Sequence, residues 1–473
     1  MSGSSRTAND PVYGLWTDRY ELAMAEAWWL DRAHAKKAVM DYFFRELPFN
    51  GGYAIFAGLD PLLDRLENFR FCQRELSFLS KNGFDSNFLD YLSGFSFQGN
   101  ILGMNEGEVI FPNEPVLRVE GNLLETQIIE TLLLNTLNFQ TLVATKASRC
   151  RNVAGDRGMS EFGFRRAQGE GAFAAARAAI IGGFNSTSNL EASYRYDLPA
   201  KGTMAHAFVQ SYPDELSAFR AFAGTHGNQT VLLLDTYDTL LSGLPNAITV
   251  AKEMEAEGNR PAGVRLDSGD LAYLSRVVRE KLDQYGFQDI KILVSNQLDE
   301  HVIKSLNDQK APIDLFGIGT SIATGSPDAA LDGVYKLALL ENQPTMKHSD
   351  TLSKATLPGR KQVYRFRDET KQFFADAICL DHETYAPTHM IHPHEPYKTL
   401  RLERYQPEAM LQPLMSEGKR LFPAVEPRLI ARDVQEKLAH VPHEHKRFEM
   451  PHTYKVGLSE QLWNQRDALL RHK

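Results

Sequence analysis

Between about residue 158 and residue 335, short apolar runs alternate with amphipathic stretches of helical length, and this alternation constrains the fold more than any other feature of the chain. VLLLD at 231, GVRLD at 263, KILVSN at 291 and DLFGIGT at 314 read as strands, with LAYLSRVVREKLDQY and LDEHVIKSLND as helices between them. Earlier candidates at SEFGF, AIIGG and KGTMA bring the strand count to about seven. The pattern predicts an α/β fold with a parallel sheet closed, or nearly closed, into an irregular TIM-like barrel. Polar residues fall where the apolar runs end: Asp235, Asp267, Ser295 with Asn296, and Gly319 with Thr320. In a βα barrel such positions ring one mouth, where enzymes of this architecture place their chemistry.

The texture of the sequence changes near residues 150 and 335, which divides the chain into three regions. Residues 1–150 read as a mixed α/β domain: a helical stretch near Leu22 to Leu30, aromatic segments at 39–47 and 51–60, two strands around a proline turn in GEVIFPNEPVLRVEG, and a long buried helix from LLETQIIETLLL onward. Residues 151–335 are the barrel. Residues 336–473 are turn-rich with short strand-like runs, expected to pack back on the N-terminal domain or to form a small extra domain.

With 473 residues the chain has ample length for a core without disulfide or metal staples. Its 52 basic and 60 acidic residues give a net charge of -8, which disfavours a general nucleic-acid surface, since neutralising phosphates requires clustered positive charge. Cys72, Cys150 and Cys379 are odd in number and far apart, so the sequence offers no disulfide framework and no paired-cysteine metal site. The polar N-terminus lacks an apolar signal core and no apolar run reaches membrane-spanning length, so a cytoplasmic location without membrane insertion is expected.

Five segments carry residues suited to chemistry. SEFGFRRAQGEGAFAAARAAIIGGFNSTSN offers Phe162 and Phe164 for stacking on a flat ring, Arg165 or Arg166 for an anion, and Asn185 to Ser188 for a helix N-terminus; an ordinary strand with a core phenylalanine is an equally good reading of this span alone. GVRLDSGDL puts Arg265 and Asp267 two apart, hence on one strand face, where they suit a pyrophosphate with its Mg²⁺. The plainer reading pairs Arg265 with Asp267 and makes Asp270 an N-cap. In DLFGIGTSIATG, Gly317 and Gly319 allow a close approach to an oxyanion and Thr320 adds a hydroxyl, although a plain glycine turn accounts for the pattern as well. His206 follows a short strand-like run, and Asp235 and Asp238 close the next one, an arrangement in which a carboxylate can fix a histidine tautomer. The clusters His389, His392 and His394, and His440, His443 and His445, lie in turn-like, proline-interrupted segments that are poor metal frameworks.

Taken in order, TDRYELAMAEAW, DYFFRELPFNGGYAIFAGL, EFGFRRAQG, GGFNSTSN, GTMAHAF, DTYDT, GVRLDSGDL and FGIGTS resemble the nicotinate phosphoribosyltransferase family, from about Thr17 to Lys336. The resemblance implies a homodimer with shared active sites, acting on nicotinate and 5-phosphoribosyl 1-pyrophosphate with Mg²⁺, and coupled to ATP in the manner of a ligase of NAD biosynthesis. It implies that Tyr20 of the partner subunit sandwiches the pyridine ring against Phe162, that Arg165 binds the 5′-phosphate or pyrophosphate, and that Thr203 lines the nicotinate pocket. His206 matches the phosphorylated family histidine, with Asp235 beside it. Arg265 and Asp267 would hold nicotinate and the ribose or Mg²⁺, and Gly319 and Thr320 the ribose phosphate. Ser186 stands near the position where nicotinamide-using relatives carry an acidic residue, which favours a carboxylate substrate here. A nicotinamide- or quinolinate-using relative, another sugar-phosphate barrel enzyme, and a binding protein on the same fold are the competing readings.

Overall fold

The computed structural model describes residues 14–347 and 355–471. They form two compact units, one of residues 14–145 with 330–347 and 355–471, the other of residues 146–329.

In the first unit a seven-stranded sheet has the strand Lys37–Phe44 third in order, paired antiparallel with Gly333–Leu340 on one side and with the central strand Leu117–Asn122 on the other. Seven of its eight residues are buried, so burial is continuous rather than alternating, and the one charged residue among them, Asp41, is paired with Lys361 at 2.7 Å. The proline turn in GEVIFPNEPVLRVEG separates Val109–Ile110, paired with Ala54–Ile55, from Leu117–Asn122 in the large sheet. The long apolar stretch that follows is two helices, Leu123–Ile128 and Glu130–Ala154. The turn-rich C-terminal region builds a six-stranded sheet of its own, with Lys361–Arg367 and Phe373–Leu380 as its longest strands. Both regions contribute to one apolar cluster, which includes Tyr42, Phe56, Leu133, Val363 and Leu458.

In the second unit six parallel strands lie in the order Ser186–Thr187, Gly158–Glu161, Leu315–Ile318, Lys291–Ser295, Gly263–Leu266, Val231–Leu233. Two of the expected strands differ. AIIGG is the end of the helix Glu170–Ile181, its Gly182 and Gly183 turning the chain back so that the strand falls later, at Ser186–Thr187. KGTMA forms no strand: it supplies one backbone bond, Lys201 N–H to Thr187 O at 2.9 Å, beside a bridge to Thr187 from Ala200, the residue just before it. Among the described residues the ladder therefore runs from Ala200 to Val231 without closing into a ring. Side chains span the gap: Arg265 donates to Thr203 Oγ1 at 3.0 Å, and His206 Nδ1 lies 3.1 Å from Thr236 Oγ1.

Short strand-to-helix loops explain why aspartates recur in pairs. Asp270 caps Leu271–Gln284 by accepting from Tyr273 N–H, Asp299 caps Glu300–Asp308, and Asp238 accepts from the Leu240 and Leu241 N–H groups. The second acid of DTYD and of DSGD is thus used by the helix that follows, leaving Asp235 and Asp267, at the strand ends, available for the site.

Candidate active site

Alternation along Gly263–Leu266 buries Val264 and Leu266 at 1% and 0% exposure and turns Arg265 and Asp267 to the opposite face. Arg265 is bonded in three directions: Nε to Ser295 Oγ at 2.8 Å, one terminal nitrogen to Thr203 Oγ1, and the other to Asp267 Oδ1 at 2.8 Å. The Ser295 hydroxyl also donates to Asp267 Oδ1. A guanidinium held this way is fixed before any ligand arrives. Asp267 Oδ2 faces His206 Nε2 at 3.9 Å. The sequence put Asp235 beside His206; in the structure the imidazole is bonded to Thr236, the next residue, and Asp235 Oδ2 accepts from Ser268 at 2.5 Å. A one-residue step along the strand end decides which side chain reaches the ring.

An open cleft of about 450 Å³ brings together Phe162, Arg165, Arg265, Asp267, Gly319 and Thr320, six of the residues singled out from the sequence. Arg166, Ser295, Asn296, Gln297, Ser321 and Ser326 also line it. Gly317 lines the cleft as well, and a Cβ there would lie 2.5 Å from the Phe162 ring, so this glycine also makes room for the aromatic side chain. Arg265 Cζ sits 5.7 Å from the same ring.

Cross-strand pairing puts Ser186, Ser160, Gly317 and Ser295 in one row. Ser186 is buried on a strand rather than at a helix N-terminus, and its hydroxyl donates to Ser160 Oγ at 2.9 Å. The helix Leu190–Tyr196 begins only after Asn189, its cap. Glu161, between Ser160 and Phe162, faces away from the row and is 1% exposed. It accepts from Thr187 Oγ1 at 2.6 Å and from Gly163 N–H, and burial pushes its carboxyl above the usual range. Tyr20 belongs to the other unit, where it is 49% exposed on the first turn of Arg19–Leu30. Ser160, Thr236 and Ser321 escaped the sequence reading; the hydroxyls of Ser160 and Thr236, each adjoining a strand-end acid, are the only signal that marks them.

A magnesium ion fits the donors present. Asp235 Oδ1 is buried with no hydrogen-bond partner among the described residues, and the Arg265 and Ser295 bonds leave Asp267 Oδ2 to the His206 side. Mg²⁺ takes one or two carboxylates together with substrate oxygens. Among the described residues, this site included, no group of three or more histidine, cysteine or acidic side chains is arranged for a metal, so substrate oxygens would have to complete the coordination. His389 and His392 instead face Glu460 and Glu395, at 3.7 and 3.9 Å. No helix of the described residues is long and apolar enough to cross a membrane.

The fold and site are those of an α/β protein with an arginine-bearing cleft suited to an anionic ligand, and comparison with known proteins specifies the family. Models for the nicotinate phosphoribosyltransferase N-terminal domain, family and C-terminal domain match residues 15–138, 158–378 and 360–466. Nicotinate phosphoribosyltransferase of Bacillus subtilis is 44% identical, with 96% of this chain and 94% of the relative covered, and that of Caenorhabditis elegans is 33% identical, with 96% and 92% covered. Human nicotinic acid phosphoribosyltransferase superposes with a TM-score of 0.85 at 30% identity, covering 96% of this chain and 99% of that one. A nicotinate-nucleotide pyrophosphorylase from Pyrococcus furiosus follows at 0.71 and 25%, covering 90% and 95%. The chain belongs to the nicotinate phosphoribosyltransferase family.

Proposed function

We propose that this protein transfers the phosphoribosyl group of 5-phosphoribosyl 1-pyrophosphate to nicotinate, giving nicotinate mononucleotide and pyrophosphate for NAD salvage. The observation that carries the reading is the rigid Arg265, bonded to Thr203, Ser295 and Asp267 at the wall of a cleft that also presents Arg165, Phe162 and Thr320. The pyridine nitrogen already holds a free lone pair. It forms the new bond to ribose C1 while the C1–O bond breaks and its electron pair leaves with pyrophosphate, so no general base is needed. Catalysis is then a matter of aligning two anions and stabilising the charge that develops on the leaving group.

In this reading Phe162 stacks on the pyridine ring, with Tyr20 of the partner subunit of a homodimer on its other face. Arg165, Gly319 and Thr320 hold the phosphates, and Thr203 and Arg265 orient nicotinate. Asp267, with Asp235, holds Mg²⁺, which when bound offsets pyrophosphate charge. Ser186, its hydroxyl bonded to Ser160, is an uncharged side chain where an acidic one would repel a carboxylate, which supports nicotinate over nicotinamide. The enzyme is ATP-dependent, of the ligase class and cytoplasmic. His206 Nδ1 is engaged by Thr236, which leaves Nε2 to take the γ-phosphoryl group of ATP as ADP departs; water later cleaves the P–N bond, releasing inorganic phosphate and restoring the imidazole.

The test is a product assay by mass with phosphoribosyl pyrophosphate and Mg²⁺, offering nicotinate, nicotinamide or quinolinate, each with and without ATP. Nicotinate mononucleotide formed preferentially, and boosted by ATP, is the expected result. A product from another base moves the specificity, and the absence of any product rejects the activity.

A further inference from the structure

Glu300 opens the helix Glu300–Asp308 and is fully buried between two cations of the helix Glu130–Ala154. Lys146 Nζ lies 2.6 Å from one carboxylate oxygen and Arg149 Nε 2.8 Å from the other, and both cations are themselves buried. Such a triad is a poor way to gain stability, because stripping three charges of water costs about as much as their attraction returns, and apolar residues of the same size often hold a fold as well. Its position in the chain gives it another use. Immediately before it stand Asn296 and Gln297, both left-handed at φ 87° and 47°. Asparagine tolerates that conformation, but a glutamine keeps it only where its surroundings impose it. The loop Asn296 to Asp299 lines the cleft, and a second tie secures it: Ser321 Oγ donates to Leu298 O at 2.6 Å, joining this loop to the turn that carries Gly319 and Thr320.

We propose that Lys146, Glu300 and Arg149 form a positioning device that holds the strained Asn296–Asp299 loop against the Gly319–Ser321 turn, so that Glu300 sets the affinity for the phosphoribosyl donor and not for the ring substrate. The donor is assigned because the loop and turn present polar side chains and backbone amides, whereas the aromatic surface for a ring lies at Phe162. This inference rests on the proposed activity. Glu300 touches no substrate and acts only through the loop.

The experiment is Glu300→Gln in the full-length protein, read by amide hydrogen exchange and by steady-state kinetics beside the wild type. The expected result is faster exchange confined to peptides within 295–303, with KM for phosphoribosyl pyrophosphate raised about ten-fold while KM for nicotinate and kcat stay within about two-fold. Unchanged exchange in the loop, or the two KM values rising together, would overturn the proposal. Should Glu300→Gln fail to fold, Lys146→Met, which keeps the Arg149–Glu300 pair, decides it: a smaller shift in the donor KM alone supports the device, and no selective shift refutes it. If the wild type makes no nicotinate mononucleotide, the activity is what has failed, and the exchange result alone decides whether Glu300 holds the loop.

Discussion

Arg265 and Arg365 each sit on a strand and are each bonded to a carboxylate, yet one works in an open cleft and the other is sealed. Arg365 is fully buried, with Asp376 at 2.7 Å, Glu108 and the Val109 carbonyl each at 2.8 Å, and the Phe373 ring 4.5 Å away. Its partners come from both the N-terminal and C-terminal segments of the first unit. Arg265 keeps two hydroxyls and one carboxylate as partners and remains on the wall of the cleft. The contrast separates two uses of one side chain. Where carboxylates and aromatics surround a guanidinium completely, it organises the fold; where small hydroxyls fix it and one side stays open, it is poised for an anionic ligand.

Substitution is expected to break this contrast most sharply at the open site. Arg265→Ala should lower kcat/KM by about 10³-fold, the order expected when a preorganised charge is removed, with little change in melting temperature. Near-normal rates would return Arg265 to a structural part. Arg365→Ala should do the reverse, costing about 3–5 kcal/mol because it strands buried carboxylates, and a thermal melt checks it. A folded, stable Arg365→Ala protein would mean that the sealed network is dispensable. His206→Ala is expected to retain slow, ATP-independent synthesis of nicotinate mononucleotide while losing ATP turnover coupled to product, measured by ADP release per product formed. Persistent coupling in that variant removes His206 from the proposed step.

The smallest expected effects are on pH dependence, and they have opposite signs in the two units. Burial, then the neighbouring Asp376 carboxylate, pushes Glu114 well above the usual carboxyl range. Its contribution is fully present below the ordinary carboxyl pKa and is lost as pH rises through the raised folded value. Glu300 is opposed by burial but ends lower than usual, because Lys146 and Arg149 outweigh it. Its contribution is present at neutral pH and lost as pH falls through the lowered value. Melts across a pH series should therefore show Glu114→Gln flattening the alkaline side of the stability curve and Glu300→Gln the acid side. The same change of slope in both variants would contradict the assignment.

The amino-acid sequence by itself determined the βα rhythm of the second unit, the apolar run of the strand Lys37–Phe44, and the position of the polar residues that end each strand. These are local matters: period, capping and chain reversal act within a few residues, so GVRLDSGDL specifies a strand, two inward side chains and a capped helix without reference to the rest of the molecule. Tertiary structure decided what those residues meet. It took AIIGG into a helix, gave His206 to Thr236 instead of Asp235, used Gly317 to seat the Phe162 ring, and set Ser186 beside Ser160. It also buried Glu300 between Lys146 and Arg149, about 150 positions away along the chain. Each of those outcomes depends on strand order and cross-strand register, which link residues distant in sequence and leave no local trace.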